Sequence, residues 1–282
     1  MKILKHSLSK KIFKRGSKTY YYSSLFFPKD VRKDVSVLYS FVRKADDFVD
    51  SIPQDVDGFY DFKNKYEKAL SGKRSKNKVI DSFIELQDRK GFDIDWIRAF
   101  FHSMELDITK SRYETIDELK QYLYGSAEVI GLMMAKILDL PEESYMPARY
   151  LGRAMQYANF IRDIEEDMSL GRHYFPASDL EEFGLRSLEH SETRFKKDDF
   201  STFMEKQVRR YDRWQEVAED GFRYIPKRYL IPIKTSSDMY KWTTKGIRKE
   251  PYLVYDKKLK PSKSRIIAKG MMNIFQPKKH GN

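Results

Sequence analysis

The chain has no cysteine among its 282 residues. That absence excludes disulfides, thiolate metal sites and a cysteine nucleophile. Long apolar runs are missing as well. The longest, VIGLMMA over Val129–Ala135, falls far short of the ~20 residues that span a bilayer. The opening stretch, MKILKHSLSKKIFKRG, lacks the apolar core of a secretory signal. These absences together predict a cytoplasmic protein, soluble or resting on a membrane surface. Histidine is sparse: five residues, at 6, 102, 173, 190 and 280, share no metal-ligand spacing. Strand-like alternation of useful length and internal repeats are also lacking.

Aromatics and positive charge are what the chain has in quantity. Nineteen Tyr and nineteen Phe help offset a hydrophobic fraction of only 40%, because each ring brings a large apolar area. Lys+Arg 54 against Asp+Glu 42 leaves +12, a balance that favours anionic partners. The excess sits at the ends. Met1–Lys18 carries seven Lys/Arg and no acid, and Asp256–Asn282 carries eight and one acid. These regions predict basic tails, about 1–15 and 274–282, flanking a single domain over 1–282. Together with the Ile-Ile and Met-Met pairs at 266–272, they fit peripheral contact with an anionic membrane. Solubilising charge on a tail is the plainer reading.

Helical spacing dominates the rest. It predicts helices near 29–50, 56–70, 76–88, 94–107, 115–138, 143–168, 197–222 and 259–273, with a surface loop over 184–196. The fold class is therefore all-α.

Two of these helices end in unusual acid. In RKADDFVD, Asp46 and Asp50 are four residues apart and share a face with Arg43 and Tyr39. In MQYANFIRDIEEDMSLGRHYFP, Asp163 and Asp167 repeat that spacing. Gln156, Asn159, Asp163, Glu166 and Asp167 form one polar stripe there, opposite Tyr157, Phe160, Ile161, Ile164 and Met168. A single Asp-x-x-x-Asp is common on a solvated helix. Two, each beside an arginine, predict a carboxylate-lined cavity. Ligands that are all oxygen suit Mg²⁺ or Mn²⁺. Arg43, Arg162 and Arg172 stand ready for phosphate charge.

The order of motifs resembles the squalene/phytoene synthase family, most closely its archaeal and bacterial phytoene synthases. The carrying residues are Ser17-Lys18-Thr19-Tyr20, Tyr39 through Asp50, Tyr122-Leu-Tyr124-Gly125, Gln156 through Asp167, Gly171-Arg172-His-Tyr174-Phe-Pro176, Tyr240, and Val254 through Arg265. The resemblance implies an isoprenoid synthase-type helical bundle around a central cavity. It also implies head-to-head condensation of two prenyl diphosphates, geranylgeranyl diphosphate giving phytoene through a cyclopropyl diphosphate. Carried over, Asp46, Asp50, Asn159, Asp163 and Asp167 would hold Mg²⁺. Lys18, Arg43, Arg162, Arg172, Lys258 and Arg265 would bind diphosphate. Ser17, Tyr39, Gln156, Tyr174 and Tyr240 would line the site. NADPH is not expected to be required. Gly16 departs from the pattern, since some relatives carry histidine just before the Ser-Lys pair. Three other readings stay open: a squalene or dehydrosqualene synthase using farnesyl diphosphate, an inactive subunit, and a basic nucleic-acid-binding protein. The acidic stripes speak against the last, and no nucleic-acid partner is expected.

Overall fold

In a computed structural model, residues 2–73, 75–256 and 258–275 are described. They are almost wholly helical. No strand occurs among them, only an isolated parallel bridge between Arg112 and His173. The first half contains α1 (Lys2–Gly16), α2 (Lys18–Ser24), α3 (Lys29–Val49), α4 (Val56–Leu70), α5 (Lys78–Lys90), α6 (Ile94–Thr109), α7 (Ile116–Leu123) and α8 (Val129–Ile137). The second half contains α9 (Tyr145–Arg162), α10 (Ile164–Ser169), α11 (Ala177–Glu182), α12 (His190–Thr193), α13 (Lys197–Asp220), α14 (Lys227–Lys249), α15 (Leu253–Asp256) and α16 (Lys263–Phe275).

Side-chain caps set many of the starts. Ser17, Asn77, Asp93 and Thr115 each accept a backbone N–H from the first turn of α2, α5, α6 and α7, which satisfies donors the helix cannot. Gly91, at φ 61, closes α5 in the left-handed region.

Several expectations needed correction. The N-terminal segment of about 1–15, read as a basic tail, falls in α1 (Lys2–Gly16), which packs on α3 and α5. Phe13 is the anchor: it is 1% exposed and stacks on Tyr39 with ring centroids 4.4 Å apart. Charge composition hid it, because a few buried residues suffice to dock a helix whose other faces are cationic. The helix expected over 115–138 is interrupted by a π-turn at Tyr124–Glu128. The one expected over 143–168 breaks at Asp163, whose φ −104 and ψ 21 leave the α region. The helix expected from 259 begins at Lys263. Helix α14 is an addition to the expected helices, and it carries Pro232 in its interior, where a proline removes one ladder bond. The loop over 184–196 holds only the single-turn α12. Of the C-terminal segment 274–282, Ile274 and Phe275 belong to α16, and the remainder lies outside the described residues.

Buried side chains form two clusters. The first gathers Phe41, Phe59, Phe62, Phe83, Phe100 and Phe101 from α3–α6, with Phe41 and Phe83 stacked at 3.7 Å. The second centres on α9, α13 and α14 around Tyr157, Phe160, Phe203 and Tyr211. A cavity is lined from both.

Phe13→Ala is expected to lower the unfolding free energy by roughly 3–5 kcal/mol. Urea denaturation followed by circular dichroism measures it. An unchanged midpoint would mean that α1 is not part of the core.

Candidate active site

The cavity measures about 620 Å³, within the range of small-molecule sites. Leu38, Phe100, Met104, Ile130, Met134 and Leu151 supply apolar wall. Asp46, Asp50, Asp163 and Asp167 all line it, along with Arg43, Arg162 and Arg172. Thus the two acidic motifs, more than a hundred residues apart in the chain, open on the same space.

Three of these four aspartates have a cation at hydrogen-bond distance. Arg43 donates from Nη1 to Asp46 at 2.9 Å and from Nε to Asp47 at 2.6 Å. Arg162 meets Asp163 with two hydrogen bonds, of 2.8 and 2.5 Å. Lys258 reaches Asp163 at 3.2 Å and also pairs with Glu166. Arg172, after α10, crosses to the end of α3: it donates to Asp50 Oδ1 at 2.7 Å and to the Val49 carbonyl at 2.6 Å. This last pair ties the two acidic motifs together.

The break at Asp163 is part of the arrangement. The Asp163 backbone N–H still bonds Asn159 and its carbonyl still accepts from Asp167, both at 2.8 Å. Asp163 thus closes the last turn of α9 and opens the first turn of α10. Asn159 donates to Gln156 at 3.2 Å, and both side chains line the cavity.

Crowding has an electrostatic price. Burial first, then the neighbouring Asp50, pushes the Asp46 carboxyl up to about 8. Burial and Asp163 push Asp167 well above the usual carboxylate range. A divalent cation would relieve this repulsion. No group of three or more His or acidic side chains is gathered for one ion among the described residues. The carboxylate and amide oxygens that line the cavity are the donor type that suits Mg²⁺, which takes one or two carboxylates and completes its shell with water and phosphate oxygens.

The aromatic side chains divide. Tyr39, Tyr174 and Tyr240 line the cavity. Tyr174 stacks on Phe160 at 4.0 Å. Tyr20, quoted only within a motif, lies 5.8 Å from Tyr240 between ring centroids and donates to Met155 Sδ at 3.6 Å. Ser17 and Lys18 also reach the cavity, although the Ser17 hydroxyl is used as the cap of α2. At Gly16 a Cβ would lie 2.4 Å from the Tyr39 hydroxyl. The missing side chain thus leaves room for Tyr39. Arg265 is not among the lining residues; it is exposed on α16, with its guanidinium 4.5 Å from the Trp242 ring centre.

Among the lining residues that escaped the sequence reading, Asp107 and Lys260 bear on the chemistry. Asp107 on α6 is buried and accepts from Tyr174 at 2.7 Å and Tyr122 at 2.9 Å, with Arg172 Nε 3.9 Å away. Burial pushes its carboxyl up to about 6, against the opposing pull of Arg172. Its signal was present: Phe100, Met104 and Asp107 share one helix face, so an acid sits on the core stripe. Lys260, at the rim, has no carboxylate hydrogen-bonded to it among the described residues. Partial burial and the charges of Lys258 and Arg162 lower its pKa to about 8.

The all-α bundle around a carboxylate-lined cavity is the fold of isoprenoid synthases. A dehydrosqualene synthase crystallised with a ligand superimposes with a TM-score of 0.86 at 23% identity, covering 95% of each chain. Squalene synthase HpnC from Alicyclobacillus acidocaldarius gives 0.78 at 21%, covering 88% of this chain and 94% of that one. The chain belongs to the squalene/phytoene synthase family, whose model matches residues 13–265. It is 27% identical over 269 residues to the 15-cis-phytoene synthase of Synechocystis, covering 90% of this chain and 79% of that protein. It is 28% identical over 262 residues to the chloroplastic phytoene synthase 1 of Solanum lycopersicum, covering 88% of this chain and 62% of that one.

With Lys260 protonated below about pH 8 and neutral above, affinity for inorganic diphosphate in the presence of Mg²⁺ is expected to fall between pH 7 and 9. In Lys260→Met the affinity should be lower at pH 7 and the fall smaller. Calorimetric titration measures both; identical profiles would remove Lys260 from anion binding.

Proposed function

We propose that this protein joins two geranylgeranyl diphosphates head to head, releasing phytoene and two diphosphates. One observation carries the reading: two aspartate pairs with their arginines open onto a single apolar cavity. The relatives named phytoene synthase support the C20 substrate.

Diphosphate leaves only when its charge is neutralised as the C–O bond lengthens. In this reading Arg43, Arg172, Lys18 and Lys258 take part of that charge. Asp46, Asp50, Asp163 and Asp167 would hold Mg²⁺, with Asn159 beside them. When bound, the metal acts as a Lewis acid on the diphosphate oxygens. The first diphosphate departs with its electron pair, and the double bond of the second molecule attacks the allylic cation. Loss of a proton closes a cyclopropane. Departure of the second diphosphate opens that ring into the 1–1′ linkage, and a second proton leaves to give the central double bond. No hydride is consumed, so NADPH has no role. The apolar wall keeps water from the cations, and the faces of Tyr20, Tyr39 and Tyr240 stabilise them, by about 0.5–2 kcal/mol each. Asp107 is a positioning residue: it holds the Tyr174 hydroxyl and faces the Arg172 guanidinium.

The substrate's tails and the hydrocarbon product both favour lipid over water. No described helix is long and apolar enough to cross a membrane. The lipid contact in this reading is therefore peripheral, with the protein on the cytoplasmic side.

The test is a product assay with purified protein, Mg²⁺ and geranylgeranyl diphosphate, without NADPH, and with farnesyl diphosphate in parallel. A C40 hydrocarbon is expected, abolished in Asp46→Ala and in Asp163→Ala. A C30 product alone would keep the chemistry and move the substrate. No product from either would overturn the reading. In Asp107→Asn, turnover is expected to fall by roughly ten- to a hundredfold, with the thermal midpoint retained. Turnover equal to wild type would show that Asp107 does not position the site.

A further inference from the structure

We infer that the outward face of α16 is a docking surface for an anionic lipid bilayer. This deepens the peripheral contact proposed above, but it stands on different residues from the catalytic reading.

The orientation of α16 is fixed from beneath. Asn273 is buried and donates to Thr235 Oγ1 and Asp238 Oδ2, both at 3.1 Å. Lys269 pairs with Asp238 at 3.4 Å. Ile266 is fully buried, so the Ile-Ile pair expected to face lipid does so at most through Ile267. At Gly270 a Cβ would lie 2.1 Å from the Phe26 ring, which means that ring packs directly on the helix backbone. These contacts leave no rotational freedom, and they turn Met271, Met272 and Phe275 outward at 51%, 57% and 82% exposure. Ala268 completes the stripe one turn earlier. A contiguous exposed apolar stripe rimmed by polar residues is the kind of surface that marks an interaction site.

Charge decides what covers it. From the start of α16 onward, residues 263–282 contain five Lys/Arg and no acid. Lys263 and Arg265 lie exposed on α16 itself, each held over an aromatic ring, Tyr22 and Trp242. A second copy of this chain set against the same face would bring like charges together. Apolar side chains fringed by cations match a bilayer bearing anionic headgroups, where each cation near the surface adds about 1 kcal/mol. The position also suits the chemistry. Helix α2 presents Tyr20, Ser23 and Ser24 to the cavity, while the Phe26 that follows it meets α16. One helical layer thus separates the lipid-facing stripe from the cavity.

The test is vesicle sedimentation with the full chain. Wild type is expected to bind phosphatidylcholine vesicles containing about 30% phosphatidylserine and to bind pure phosphatidylcholine far less. Met271→Ser/Met272→Ser/Phe275→Ser should reduce binding to the anionic vesicles by at least about tenfold. Lys263→Glu should weaken it further at low salt than at high salt. The circular dichroism spectrum and thermal midpoint of the triple variant should match wild type, which shows it is folded. A triple variant that binds like wild type, or a wild type that stays in the supernatant, overturns the inference. So does light scattering that finds a wild-type dimer split by the triple variant, with no vesicle binding by either. Absence of turnover in wild type would count against the catalytic reading alone, because vesicle binding is read separately.

Discussion

Placing negative charge inside an apolar enclosure is the constraint on which the rest of this structure depends. Carboxylates on an apolar wall repel one another and lose hydration, and here arginines meet Asp46, Asp50 and Asp163 at hydrogen-bond distance. Arg172 is the central case. One guanidinium bonds Asp50 and the Val49 carbonyl, at the end of α3, from a loop 122 residues further along. A guanidinium is suited to this because its fork of donors can serve a carboxylate and a carbonyl together. Among the described residues, this guanidinium makes the direct bonds that join the two acidic motifs.

The scaffold around these charges is dominated by rings. The aromatic cluster of α3–α6 and the stack of Phe160 on Tyr174 give flat, stiff surfaces that lose little conformational freedom when buried. Stiffness matters because a cavity wall has packing partners on one side only. Phe13 extends the same principle to the N-terminal helix. By stacking on Tyr39 it links a surface helix of lysines to a residue of the site, so that a segment with the composition of a tail takes part in forming the cavity.

Much of the site was legible before any coordinates. The i, i+4 spacing of Asp46 with Asp50 and of Asp163 with Asp167 states which side chains share a face, because helical periodicity is a local property. The adjacent arginines were legible for the same reason. Asp107 was harder to see: a lone acid on an apolar stripe acquires meaning only when Tyr122 and Tyr174, from other elements, arrive at its two oxygens. Arg265 shows the converse. Its place in a familiar run of residues suggested the cavity, whereas its side chain lies over Trp242 on the outer surface.

By itself, then, the sequence determined the helical class, the absence of thiol chemistry, and the pairing of acids along each helix. All follow from composition or from contacts within one turn. Only the tertiary structure decided that both acidic pairs face one cavity, that Asp107 and Lys260 join its lining, that α1 is part of the core, and that α16 turns methionine and phenylalanine outward. Those depend on contacts between residues far apart in the chain. Such contacts are selected by the packing of whole helices and are not encoded in any local spacing.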